Sequence, residues 1–209
     1  MKFDKLGWFI SVALIGAICG MGFQGATPKF GSVDMAKVFN EADQTKTNQS
    51  KLREFVKKRM DILQFLQNNS SMNPTDAASF VTLSIKDSPN PSESTQLTKI
   101  TNDAQTSTNT QRSLVQKQNP TPDDIKQLNG YSSNANQNGA LARQLQDQYT
   151  TESQKRENDL RDEVLTKVRE TVGSIAKKDG YTTVFTTECA PYSANDLTAD
   201  ALKSINGSK

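Results

Sequence analysis

Between Asn69 and Asn138, 37 of 70 residues are Asn, Gln, Ser or Thr, and five more are proline: Pro74, Pro89, Pro91, Pro120 and Pro122. A third of the chain is therefore poorly equipped to build a thick core. Leu, Ile, Val and Phe total 43 in 209 residues, and nine of these precede Gln24, which leaves 34 for residues 27–209. Such content, about 20%, borders on the range where chains stay disordered. Disorder usually couples low hydrophobicity to high net charge, and here the formal net charge is only +2. Lys2, Lys5 and Asp4 carry one net positive charge, so without residues 1–26 it falls to +1. Sparse apolar residues with balanced charge suit helices that pair along narrow seams, and disfavour a single compact enzyme-like domain.

The polar middle still carries the chemistry that starts helices. "NPTD" at Asn73 and "TPDD" at Thr121 each place a capping side chain before proline, with carboxylates in the first turn. Short helices are predicted near 74–87, 92–118 and 122–129, the alternative being a disordered polar linker. Before the middle, Val38, Phe39, Ala42, Leu52, Phe55, Val56, Met60, Leu63 and Leu66 fall mostly three or four apart. They predict one amphipathic helix over 35–67, roughly 50 Å long at 1.5 Å per residue. After Gly139 the stripe resumes with Leu141, Leu145 and Tyr149, then Leu160, Val164, Val168 and Val172. The charges of this second helix alternate in sign, as on a solvated face, and form no basic stripe for nucleic acid.

The ends read differently. Lys2 and Lys5 precede an uncharged apolar run, Leu6 to Phe23, which is the pattern of an export signal or of an N-terminal membrane anchor. The chain is thus expected outside the cytoplasm, in the periplasm. Cys19 lies in that run and no lipobox surrounds it, so Cys189 is the one cysteine of the remaining chain and is expected to be a buried, inert thiol. Histidine is absent, which removes the commonest general base and metal ligand. Carboxylate pairs such as Asp123-Asp124 read as helix-start charges. Catalytic residues, cofactor sites and metal sites are therefore assigned to none. Gly180 ends the second long helix, Tyr181 to Glu188 is dense in β-branched and aromatic residues as strands are, and "CAPYS" reads as a further short strand. Thr198 caps a terminal helix whose Leu197, Leu202 and Ile205 face inward.

The segments "KFGSVDMAKVFNE" (29–41) and "GYTTVFTTECAPYSANDLTADALKSIN" (180–206) resemble the Skp/OmpH family of periplasmic chaperones in order and spacing. The resemblance implies an α+β fold in which a small β body, residues 27–40 and 180–209, carries long coiled-coil-like helical hairpin arms, residues 41–179. It implies a homotrimer that holds unfolded outer-membrane or other exported proteins without ATP, and no enzyme. Two or three short strands per chain are too few to stand alone and leave edges that assembly would cover. Val33, Val38, Val184, Phe185, Tyr192, Leu197 and Leu202 are expected in the core of the body and trimer. Phe55, Leu63 and Phe65 are candidates for either the helix seam or client contact. The alternative function is a trimeric coiled-coil spacer or tether of the cell envelope.

Overall fold

The computed structural model describes residues 27–207; residues 1–26, and with them the segment Leu6–Phe23, lie outside the described residues. The elements run β1 (Phe30–Val33), α1 (Met35–Glu41), α2 (Asp43–Asn68), α3 (Pro74–Ser84), α4 (Pro91–Val115), α5 (Pro122–Lys178), β2 (Thr183–Thr186) and α6 (Thr198–Gly207). Long helices with one two-stranded sheet make this an α+β fold. Two compact units divide it: a body of residues 27–43 and 165–207, and a helical unit of residues 44–164.

In the body, β1 and β2 pair in parallel, Phe30 opposite Thr183 and Val33 opposite Thr186. Parallel neighbours cannot be joined by a tight turn, and here the connection is the whole succession of helices from α1 to α5. The other edge of β1 is also occupied. Ser32 N–H donates to Asn195 O and Leu197 N–H donates to Ser32 O, both at 2.8 Å, so the chain at Asp196 runs parallel to β1. The sequence places a strand one step early, at "CAPYS"; that stretch is a turn and irregular chain, and the pairing falls on the residues just before α6. Gly31 is tight. A Cβ there would lie 2.5 Å from Leu197 Cδ1 and 3.0 Å from the Tyr181 ring, so glycine lets β1 pass beneath the start of α6.

Two side chains tie α6 to the rest of the body. Thr198 Oγ1 accepts Asp34 N–H at 2.9 Å while its hydroxyl donates to Asp196 at 2.5 Å. Asn206 Oδ1 accepts the N–H of Asp43, 2.9 Å away, which satisfies an orphan donor of the first turn of α2. The expected single helix over 35–67 is corrected here. Ala42 is extended, with ψ 134°, and separates α1 from α2. No proline or glycine marks that break; the buried Ala42 and the Asn206 cap, both set by tertiary packing, produce it.

The helical unit is more ordered than its composition suggests. Its core joins Ile62 and Leu66 of α2, Met72 of the following turn, Val81 of α3, Ile100 of α4 and Leu145 of α5. Helices α3 and α4 thus form a layer against α2 and α5. Asn73 caps α3 through Thr75 N–H, and Asn90 forms a reciprocal capping box with Glu93 at the start of α4. The third predicted helix does not stop at 129. From Pro122 it runs unbroken to Lys178 through Gly130 and Gly139, because packing of the helix outweighs the ~1 kcal/mol that each interior glycine costs.

Asn138 explains much of this. It is buried one face up from Leu141 and Leu145, and its Nδ2 donates to Ser70 O at 2.8 Å and Met72 O at 2.9 Å. Asn134, one turn earlier, donates to Ser71 O at 3.2 Å. The α2–α3 turn is therefore held by two amides of α5, which take up carbonyls that a buried turn would otherwise leave unpaired.

At the α4–α5 turn, Lys117 pairs with Asp124 at 2.5 Å, and the Asp124 carboxylate also accepts the N–H and hydroxyl of Thr121. The Lys117 ammonium first, and then the two Thr121 donors, lower the Asp124 pKa from 3.8 to about 2. A carboxylate depressed by folding adds stability that is fully present above its unfolded value and is lost as the pH falls from 3.8 through about 2. Carbon NMR of Asp124 is expected to titrate near 2; a midpoint at 3.8 would mean the cap is not formed.

Candidate functional site

Two surfaces present apolar groups that the fold leaves uncovered. The first lies on the body. Phe30 and Phe185 come from neighbouring strands, with ring centroids 6.1 Å apart, and both are about half exposed. Tyr192 is 92% exposed, beside a shallow groove that Pro28, Phe30 and Asn195 also line. The outer edge of β2 has no strand partner among the described residues. An unpaired edge next to exposed aromatics is a surface suited to association.

Val33, Val38 and Leu197 are buried, Leu202 and Val184 half-buried, and Phe185 and Tyr192 lie at the surface. Within one chain, then, Phe185 and Tyr192 do not close the core. The inner side of the sheet is filled from α6 and α1, and the loop carrying Tyr192 has nothing packed over it. Cys189 is likewise exposed, which corrects the expected buried thiol. It sits in the turn after β2, where its N–H donates to Thr186 O at 2.9 Å and no helix covers the side chain.

The second surface is on the helical unit. Phe55, Ile62, Phe65 and Leu66 occupy one side of α2, and Phe65 stacks on Phe80 of α3 at 3.9 Å. Leu52, Val56, Met60 and Leu63 occupy the adjacent side, where they face α5 across a groove of about 600 Å³. Met60 is 60% exposed and Val56 36%. Of the three candidate client residues, Leu63 lies at the bottom of this groove, largely buried, and Phe65 is engaged with the α3–α4 layer. Phe55 has Arg59 over its ring at 3.3 Å and Arg156 at 4.7 Å. Its ring is thus occupied by two guanidiniums.

Between the two sides of α2, Arg59 pairs with Glu152 of α5 at 2.9 Å. The Glu152 pKa is lowered, first by the Gln148 amide and also by Arg59. Tyr149, beneath them, is 4% exposed, and its hydroxyl is buried without a hydrogen-bond partner. Burial raises the pKa of that phenol. The groove therefore combines an apolar floor with a neutralised ion pair, and the Tyr149 hydroxyl is sealed beneath it. Sequence periodicity had placed Val56, Met60 and Tyr149 on apolar stripes, but a stripe alone does not distinguish the covered side of a helix from the open one.

Among the described residues no helix is long and apolar enough to cross a membrane. The profile of one protein family, described as Outer membrane protein (OmpH-like), matches residues 29–205. No curated protein and no solved structure matches the chain. The match begins just before β1 and ends within α6, taking in the body, the helical unit and both surfaces, so this chain belongs to the OmpH-like family and has its α+β, Skp-like fold.

Proposed function

We propose that this protein is a nucleotide-independent holdase of the cell envelope, which binds unfolded outer-membrane or other exported proteins as a homotrimer and keeps them from aggregating. The observation that carries the reading is the family match over residues 29–205. That family is one of envelope chaperones, generally non-enzymatic, that bind unfolded outer-membrane proteins. The physical layout supports each part. A two-stranded sheet is too small to be stable alone, and its free edge with Phe30, Phe185 and Tyr192 gives three copies a surface to bury. The body of residues 27–40 and 180–209 then serves assembly, and residues 41–179 serve capture. Three copies make weak individual contacts multivalent, which suits clients of varied sequence. With a formal net charge of only +2 and no long basic stripe, capture depends little on salt.

The experiment is capture itself. A β-barrel membrane protein diluted from urea is mixed with the exported protein in the absence of nucleotide. A soluble complex is expected; precipitation of the client at the rate seen without the protein would remove the reading.

A further inference from the structure

We propose that the Asn206-Gly207 pair at the end of α6 is a self-modification site, at which the folded body converts Asn206 to aspartate and isoaspartate with water as the only co-reactant. The inference concerns the body alone and stands whether or not the chain is a holdase.

The chemistry is intrinsic to an asparagine followed by glycine. The Gly207 amide nitrogen attacks Cγ of Asn206, the N–Cγ bond forms, and the Cγ–Nδ2 bond breaks. Nδ2 leaves as ammonia, taking up the Gly207 amide proton. Water then opens the cyclic imide at one of its two C–N bonds, giving aspartate when the N–Cγ bond breaks and isoaspartate when the main-chain bond breaks. Nothing is oxidised or reduced. Glycine favours the attack because it has no Cβ to crowd the nitrogen and its backbone turns freely.

The chain carries three such pairs, Asn129-Gly130, Asn138-Gly139 and Asn206-Gly207, and the fold separates them. Attack requires the asparagine ψ to rotate away from its helical value. For the first two pairs that rotation breaks the 57-residue helix α5 in its interior. At Asn138 the departing Nδ2 is also held by Ser70 O and Met72 O in a buried place. Such openings approach the cost of unfolding the whole unit. By contrast, α6 ends at Gly207, so the same rotation at Asn206 opens only the last turn, the part of a helix that frays. Asn206 is half-buried and Gly207 exposed. The side-chain bond at stake is the cap, in which Asn206 Oδ1 accepts Asp43 N–H at 2.9 Å, and one such bond slows the reaction by no more than about tenfold.

That bond also gives the product a structural consequence, because the reacting amide is the group that ties α6 to the first turn of α2. Aspartate keeps an acceptor there and adds a negative charge at the positive end of α2, where a helix favours one. Isoaspartate carries the main chain through Cγ, so Gly207 then leaves from the cap and no longer from the end of α6. The body thus changes charge and chain path at this point as it ages.

Ageing of the full chain in mildly alkaline buffer, followed by tryptic mass spectrometry, tests this. Residues 204–209 are expected to gain the mass of an amide replaced by an acid, at a rate within about tenfold of the free peptide of that sequence. Residues 127–143, which hold both other pairs, are expected to stay unchanged until urea unfolds the protein. The Asp43 amide signal in NMR is expected to give way to new signals at the rate of conversion, as a change remote from the cap would not make it do. Gly207→Ala is the blocking variant. A Cβ there meets no atom within 4 Å, so the fold is kept, and conversion is expected to slow about tenfold or more. The proposal is overturned by any of four results: no conversion of residues 204–209, equal conversion of residues 127–143 in the folded protein, a Gly207→Ala variant that converts like the parent, or an Asp43 signal that stays unchanged while Asn206 converts.

Discussion

Asn138→Asp is expected to lower the stability of the helical unit by about 3 kcal/mol, the largest effect of any single polar substitution in it. The substitution keeps the shape but exchanges the two N–H donors of Nδ2 for a single O–H, leaving one of Ser70 O and Met72 O unbonded in a buried place. A carbonyl so orphaned costs about 1–3 kcal/mol. The new carboxyl, facing two carbonyls with no cation beside it, must stay protonated to remain there. Urea unfolding followed by circular dichroism reads the change. A further signature separates it from ordinary packing loss: the variant becomes still less stable as the pH rises from 5 to 8, since the unfolded carboxyl ionises and the buried one resists. A loss below about 1 kcal/mol, flat with pH, would show that Asn138 is not the clamp of the α2–α3 turn.

Phe185→Glu is expected to convert the proposed trimer to monomer at micromolar concentration while leaving the fold of each chain intact. Phe185 is 41% exposed and touches Phe30 across the open face of the sheet, so a carboxylate is tolerated there in one chain. In an assembly that buries this face, the same carboxylate is desolvated without a partner, which costs several kcal/mol per copy, and three copies bring three like charges together. Light scattering gives the mass. Helix content equal to the parent's with the mass of one chain is the expected pair of results. An unchanged oligomer would place the interface on another part of the body.

How much of this was readable beforehand follows from where each signal resides. Local chemistry was legible: Asn73 and Thr121 start helices as their side chains and the following prolines predict, and Gly180, with φ +70°, follows the end of α5. The β2 strand was visible in the β-branched run around Val184. Signals that depend on distant partners were not. Ala42 breaks a helix that nothing in its neighbourhood forbids, and a long helix passes through Gly130 and Gly139 because distant residues pack on it. The composition of the middle segment predicts short helices with little to bury. Several of its few apolar residues, Met72, Val81, Leu83 and Ile100 among them, are nonetheless buried, while Val115 and Ile125 near the α4–α5 turn stay exposed, and its amides hold the α2–α3 turn in a way that counting apolar residues overlooks. Asn138 could have been found from spacing alone, since Asn134 and Asn138 continue the register of Leu141, Leu145 and Tyr149 in steps of three and four. A polar residue in an apolar register predicts a buried partner. The aromatic residues of the body misled for the opposite reason: Phe185 and Tyr192 carry the composition of a core, and only the three-dimensional arrangement shows that a single chain leaves them outside.

In the proposed holdase, several copies of this chain jointly enclose an unfolded client. Native mass spectrometry of the protein mixed with a urea-unfolded β-barrel membrane protein measures that directly. Three copies of the chain with one client, formed without nucleotide and absent when the client is folded first, is the expected mass; a spectrum holding only free protein and free client would mean that the chain is no holdase.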